Sequence, residues 1–225
     1  PDLKRNEGAA DAFVAKVNPE GDALIYCGYI GGLGFEFGDD IAVDDQGNAF
    51  ITGHVSSTED TFPVLGGPDL TYNGGIYDAF IAKVNTEGTA LDYCGYIGGA
   101  LKDEGIGIAV DSAGNAYVTG KAMSDDSTFP VIVGPSLIFN AGRWGLYAAD
   151  AFVAKVNASG TALVYCGYIG SSSWGECGYA IAVDEWGNAY VTGETEFAAP
   201  FDFPVIVGPD LTQNGSQDAF VAKVN

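Results

Sequence analysis

Thirty acidic against nine basic side chains give this 225-residue chain a formal net charge of −21. Such a field repels nucleic acid and anionic membrane while it attracts cations, and no stretch reaches the roughly 18–20 apolar residues that span a bilayer. With 47% hydrophobic residues the chain can bury a core, so we expect a folded protein that neither binds nucleic acid nor inserts into a membrane.

In chain order, the same five segments recur in a unit of about seventy residues. Asp-Ala-Phe-(Val/Ile)-Ala-Lys-Val-Asn begins at Asp11, Asp78, Asp150 and Asp218, and Leu-x-Tyr-Cys-Gly-Tyr-Ile-Gly begins at Leu24, Leu91 and Leu163. Ile-Ala-Val-Asp begins at Ile41, Ile108 and Ile181, Asn-Ala-(Phe/Tyr)-(Ile/Val)-Thr-Gly at Asn48, Asn115 and Asn188, and Phe-Pro-Val at Phe62, Phe129 and Phe203. Recurrence at a fixed period is typical of repeat architectures.

Each unit predicts four short β-strands. The segments are rich in Val, Ile, Tyr and Phe and are bounded by Gly, Asn, Asp and Pro, and no helical apolar period is kept over about ten residues. Gly47 and its repeats stand where a type I turn with a bulge needs positive φ. Both faces of residues 12–17 are mainly apolar, so each sheet should lie between two neighbours, as propeller blades do.

The chain resembles the bacterial β-propeller repeat family often abbreviated SBBP, through the segments DAFVAKVN, YCGYIGG, GIAVDSAGNAYVTG and TFPV. The resemblance runs through all three units and implies a secreted or surface protein, generally without a defined activity and without catalytic residues to carry over. Related blades imply that Ile-Ala-Val-Asp is the innermost strand, followed by Asn-Ala-Tyr-Val-Thr-Gly, Asp-Ala-Phe and Tyr-Cys-Gly-Tyr. The expected fold is all-β, with about three tandem four-stranded antiparallel blades arranged as in a β-propeller.

We expect repeats at residues 1–67, 68–134 and 135–208, and the single first strand of a fourth repeat at 209–225. Closed propellers use roughly four to eight blades, so three blades form an incomplete ring or are completed by self-association. Three completions stay open: a longer array of which this chain is a segment, a six-bladed ring of two copies, or a head-to-tail fibre. The start at Pro1 rather than Met predicts a processed or excised piece.

The last strand is the predicted assembly element, because an unpaired strand edge invites pairing with another chain. The residues expected to carry this role are Asp218, Phe220, Val221 and Val224. The function that follows is a non-enzymatic extracellular or cell-surface protein with a structural or self-assembly role, as in a surface layer, matrix or filament. Its principal expected partner is another copy of itself.

An alternative function is a binding module that recognises glycan or a surface protein. Antiparallel strand order gathers the long connections of the units on one face, and long loops on a rigid scaffold usually carry binding. The residues predicted to bind there are Trp144, Trp174, Tyr147, Tyr72 and Phe35. Aromatic rings among carboxylates suit a sugar or a protein partner.

Calcium is the natural ion for so acidic a chain, since it takes several hard oxygens from irregular loops. The carboxylates that could contribute are Glu36, Asp39 and Asp40, or Asp103 and Glu104. The sequence contains no EF-hand or Gly-Asp nonapeptide motif, so this prediction depends on composition and loop position alone.

Catalysis is not expected, and a propeller enzyme whose catalytic part lies elsewhere is the weaker third alternative. His54 is the one histidine and has no counterpart in the other units, which indicates a surface strand residue. No nucleophile elbow, phosphate loop or Cys–His pair is present. Cys27, Cys94 and Cys166 share one repeated position and are expected as small buried hydrophobes, whereas Cys177 breaks the pattern and leaves a bridge to Cys166 open.

Overall fold

The computed structural model of the protein describes residues 1–6, 8–140, 148–172, 175–196 and 203–225, which form thirteen β-strands and no helix. In chain order the strands are β1 (Ala12–Val17), β2 (Leu24–Ile30), β3 (Glu36–Val43), β4 (Ala49–Val55), β5 (Asp78–Val84), β6 (Leu91–Ile97), β7 (Asp103–Val110), β8 (Ala116–Ala122), β9 (Asp150–Val156), β10 (Leu163–Ile169), β11 (Glu176–Val183), β12 (Ala189–Glu196) and β13 (Gln217–Val224). No described residue belongs to a helix able to cross a membrane.

The strands form four antiparallel sheets. β1 and β2 make the first sheet, β3-β4-β5-β6 the second, β7-β8-β9-β10 the third, and β11-β12-β13 the fourth. In the second and third sheets the Ile-Ala-Val-Asp strand lies at one edge and the Tyr-Cys-Gly-Tyr strand at the other, in the order expected from related blades. The propeller-like all-β fold is therefore confirmed, with a ring that is not closed.

A repeated Asp and Gly form the hairpin turns between β3 and β4, between β7 and β8, and between β11 and β12. Asp44 Oδ1 accepts a 2.9 Å hydrogen bond from the backbone N–H of Asn48, and Asp111 and Asp184 do the same for Asn115 and Asn188. Gly47, Gly114 and Gly187 have φ of 86°, 83° and 84°. A side chain at this φ would be strained, so these turns fit Gly as predicted.

The inner strands approach the preceding sheet closely through glycine. A Cβ placed on Gly105 would overlap Thr52 Oγ1, and one on Gly178 would overlap Thr119 Oγ1. Each inner strand also changes register just after this glycine, which marks a β-bulge. The Gly–Thr contact therefore fixes how one sheet lies on the next.

Three hydrophobic clusters hold the sheets together, and each lies between two successive sheets. We call the face of a sheet that meets the preceding sheet its leading face, and the opposite one its trailing face. In the second sheet Phe80 and Cys94 are on the leading face, whereas Ile81 and Tyr93 are on the trailing face. The prediction that both faces are covered is confirmed for the two middle sheets.

Candidate functional site

The structure separates the two described residues that were predicted to bind a ligand. Tyr72 packs edge-on against Tyr96, with ring centroids 5.9 Å apart, and its hydroxyl donates to the carbonyl of Gly75. Burial, with a smaller contribution from the charge of Asp78, raises the pKa of Tyr72 to about 12. Phe35 instead stacks on Phe37, 6.4 Å away. Trp144, Tyr147 and Trp174 lie outside the described residues.

An aromatic cluster surrounds Phe37 at the start of β3. Its ring stacks on that of His54 with centroids 4.7 Å apart, and Tyr77 meets both rings edge-on at 6.2 and 4.8 Å. β3 and β4 are paired at Phe37 and His54, which places these two side chains side by side. Phe35 and Phe37 are 46% and 39% exposed, so the cluster presents a flat apolar surface to solvent.

Charged groups border this aromatic cluster. His54 Nδ1 lies 2.7 Å from Asp39 Oδ2, and Lys102 Nζ lies 2.8 Å from Glu104 Oε1 and 5.8 Å from the centre of the Tyr77 ring. A flat aromatic surface bordered by hydrogen-bonding groups can stack on the apolar face of a sugar ring and bind its hydroxyls.

The five proposed calcium ligands are each engaged by protein groups. Asp39 and Glu104 meet His54 and Lys102, as above, and Asp40 Oδ2 accepts a 2.9 Å bond from the backbone N–H of Ile108 in the next sheet. Glu36 and Asp103 are buried, and accept 2.8 Å bonds from the N–H groups of the loops before them. Among the described residues, no group of three or more His, Cys, Asp or Glu is placed to hold a metal ion, so calcium stays a prediction from composition.

Two buried aspartates in adjacent sheets, Asp78 and Asp103, have pKa values raised by burial. Burial raises the pKa of Asp78 to about 8, and the charge of Asp103 adds to the rise. A hydrogen bond from the backbone N–H of Asn73 acts in the opposite direction and lowers this pKa. Burial raises the pKa of Asp103 to about 6, although the Ser124 hydroxyl donates to it at 2.7 Å. Asp78 Oδ1 has no hydrogen-bond partner among the described residues. These groups make stability depend on pH.

All four cysteines are free thiols, so no Cys166–Cys177 bridge forms. Cys94 and Cys166 are fully buried, and burial raises the pKa of both thiols far above the usual value. The expectation of a buried residue was wrong for Cys27, which is exposed. The backbone of residues 65–66 bridges to Cys94, whereas Cys27 belongs to the two-stranded first sheet.

The predicted assembly strand is paired on one side. β13 runs beside β12, with Val221 opposite Thr192 and Val224 opposite Ala189. Phe220 packs on Phe203 at 5.2 Å. On the trailing face of the fourth sheet lies an open groove of about 370 Å³. Its lining comprises Tyr179, Thr192, Gly193, Glu194, Gln217, Asp218 and Ala219.

The ends of the array expose side chains whose repeats are buried inside it. Phe13, on the leading face of the first sheet, is 65% exposed, whereas Phe80 at the same position is fully buried. Ile41 on the leading face of the second sheet is 49% exposed, against 4% for Ile108. Val221 on the trailing face of the fourth sheet is 63% exposed. Among the described residues, the two end faces therefore expose positions that the internal interfaces bury.

Residues 93–126 match the family model for a β-propeller repeat, SBBP, which confirms the resemblance noted in the sequence. This stretch runs from the outer strand of the second sheet into the third sheet, across one sheet junction. No curated protein matches the chain. The comparisons therefore support a propeller-type repeat and carry no information on a ligand or an activity.

Sequence reasoning missed His54 as a member of the aromatic cluster. It was expected at the surface, yet its side chain is only 15% exposed. A signal was present: at the positions of Phe37, His54 and Tyr77 the second unit has Glu104, Lys121 and Ala149. These three residues differ from the repeat and lie at the same end of one unit. That coincidence would have indicated that this end has a role of its own.

Proposed function

We propose that this protein is a non-enzymatic, secreted or cell-surface repeat protein with a structural role, and that it associates with copies of itself through its end faces. The observation that carries the proposal is the exposure of Phe13, Ile41 and Val221. Their counterparts Phe80, Ile108 and Ile81 are buried between sheets. An apolar side chain that becomes fully buried contributes about 1.5–3 kcal/mol, so joining two ends is favourable.

The end faces also match in shape. In the internal junctions Thr52 and Thr119 each contact a glycine of the next inner strand. At the trailing end Thr192 occupies the same position. At the leading end a Cβ on Gly38 would meet only ordinary contacts, at 3.6 and 3.7 Å. Head-to-tail docking in which β12 lies beside β1 of the neighbour would place that neighbour's Gly38 on Thr192.

The test is the mass of the protein in solution, measured by light scattering on a sizing column and followed by electron microscopy. We expect rings or longer particles of several copies. The Gly38→Ala variant should fold with unchanged thermal stability and yet associate at least tenfold more weakly, because its new methyl group meets Thr192 of the neighbour. A folded wild-type monomer at all accessible concentrations would contradict self-association, and turnover of polysaccharide substrates would contradict the non-enzymatic role.

A second candidate function is the binding of glycan at the aromatic cluster of Phe35, Phe37, His54 and Tyr77. The supporting observation is that these non-repeated rings lie together and are partly exposed. Phe37→Ala should abolish capture on a glycan array and leave self-association unchanged. Tyr72→Phe is the matched control, since Tyr72 contacts Tyr96 instead. Equal capture by wild type and Phe37→Ala would exclude the cluster as the binding site.

A further inference from the structure

The first and fourth sheets complement each other in their strands. Among the described residues, the fourth sheet has an inner, a second and a third strand, and the first sheet has a third and an outer strand. The third strand is present in both, and it is identical: residues 11–18 and 218–225 both read Asp-Ala-Phe-Val-Ala-Lys-Val-Asn. β11 and β12 of one copy with β1 and β2 of another would make a sheet of four.

We infer that β1 and β2 of a second copy enter the fourth sheet and replace β13, an inference that rests on the self-association proposed above. Because the two octapeptides are identical, β1 can pair with β12 in the register that β13 uses. Ala10 of the second copy then lies opposite Glu196, where Gln217 lies in the free chain. The second copy thus adds β2 as an outer strand to the described fourth sheet, without a change in the pairing of β12.

β13 is the more easily released of the two identical strands. Phe220 is its one buried hydrophobic side chain, and residues 209–217 before it are largely exposed. In β1 both Ala12 and Val14 are buried in the cluster between the first and second sheets. One buried hydrophobic side chain holds β13 and two hold β1, so we take β13 as the strand that leaves.

The leading face of the incoming β1–β2 hairpin would contact the Phe-Pro-Val segment at Phe203, as the equivalent strands do in the complete sheets. Phe13 takes the position of Phe220 on Phe203, and β2 brings Tyr29 to the same segment. In the complete sheets the tyrosine at this position packs on the phenylalanine of the Phe-Pro-Val segment, at 5.4 Å for Tyr96 and 5.3 Å for Tyr168. The exposed Phe13 is thereby buried as Phe80 and Phe152 are.

Two further contacts show the same complementarity. Lys83, Lys155 and Lys223 each lie over an aromatic ring at 5.1, 4.7 and 5.0 Å. Among the described residues Lys16 has no such ring, and its ammonium donates to the carbonyl of Thr86. After exchange Lys16 lies over Tyr190, whose own partner Lys223 has left with β13.

The turn of the hairpin fits in the same way. Gly88 and Gly160 lie against the rings of Tyr26 and Tyr93 in the preceding outer strand, so closely that a Cβ would overlap the ring. Gly21 is at the same position, and no atom of the described residues lies within 4 Å of a Cβ placed on it. Exchange places Gly21 on Tyr165. In this proposal the segment 218–225 holds the place that β1 of the second copy takes.

The deciding experiment locks β13 in place. In a Cys27→Ser background, which removes the exposed thiol, Glu196→Cys with Gln217→Cys joins β12 to β13 within one chain. We expect the oxidised variant to be monomeric and the same variant after reduction to associate as the wild type does. Association that is equally strong in both states would overturn the exchange while leaving self-association through the end faces intact.

A second measurement traps the exchanged pair directly. One preparation carries Glu196→Cys and another Ala10→Cys, both with Cys27→Ser, and the two are mixed under mild oxidation. We expect a disulfide-linked heterodimer on a non-reducing gel, with at least tenfold less when Asp45→Cys, in an exposed turn, replaces Ala10→Cys. Equal yields from the two mixtures would overturn the exchange. If the wild type is a monomer throughout, the proposed function itself fails, and this result is distinct from the other two.

Discussion

The two middle sheets and the two end sheets have nearly the same sequences and very different surroundings. Phe80 and Phe13 stand at the same position of the same segment, yet one is fully buried and the other is 65% exposed. The repeat therefore encodes an interface, and a sheet obtains its stability from neighbours on both sides, as expected for a quasi-one-dimensional array. In the described residues, the end sheets are the places where side chains of that interface are exposed.

The largest expected effect separates these two phenylalanines. Phe80→Ala should lower the free energy of unfolding by about 3–5 kcal/mol, because it leaves a cavity beside Phe62. Phe13→Ala should change the free energy of the monomer by less than ~1 kcal/mol, since its ring is already in water. Chemical denaturation of both variants measures the difference. Equal losses would show that the end sheet is as well packed as the middle sheets.

The next effect concerns pH and the buried Asp78. Because the folded protein raises this pKa to about 8, the folded state binds more protons than the unfolded state between about pH 4 and pH 8. The free energy of unfolding should therefore fall as pH rises through this window, by on the order of 2 kcal/mol. Asp78→Asn, which stays neutral, should lose this part of the slope when denaturation is compared at pH 5 and pH 8. Parallel pH profiles for the two proteins would contradict the assignment.

A smaller effect compares two glycines. Gly105→Ala should cost about 1–3 kcal/mol, because its methyl group overlaps Thr52 Oγ1 across a sheet junction. Gly38→Ala should be nearly neutral in the monomer, since its neighbours lie at 3.6 Å or more. Thermal unfolding at low protein concentration, where the monomer prevails, makes the comparison. A matching loss at Gly38 would show that the cost does not arise from the overlap at the sheet junction.

The smallest effect concerns the lysines of the third strands. Lys83→Met should cost about 0.5–1 kcal/mol, because Lys83 lies over Phe50 and within 4.0 Å of Asp44. Lys16→Met should leave the stability of the monomer unchanged and weaken association severalfold, as expected if Lys16 finds Tyr190 in another copy. Denaturation and light scattering of both variants test the pair. Unchanged association of Lys16→Met would remove this contact from the interface.

The order of strands and the positions of the turns were predictable because their determinants are local. Gly47 and Asp44 act within one hairpin, and the alternating apolar residues act within one strand. Which copy of a repeated residue is exposed was not predictable from its own segment. Cys27 and Cys94 share a motif and differ only in what packs beside them. His54 was missed as a member of the aromatic cluster for a related reason, since it meets Phe37 across two strands that are separate in sequence.

The contact between a glycine and a threonine at each sheet junction bears on how such a protein changes over time. Gly105 on Thr52 and Gly178 on Thr119 use the same residue types on both sides. A duplication that inserts one whole unit would create only junctions whose two surfaces already exist. Recombination can therefore lengthen or shorten the array by whole units. The gain or loss of part of a unit would instead misalign the glycine–threonine contact at the junction where it occurs.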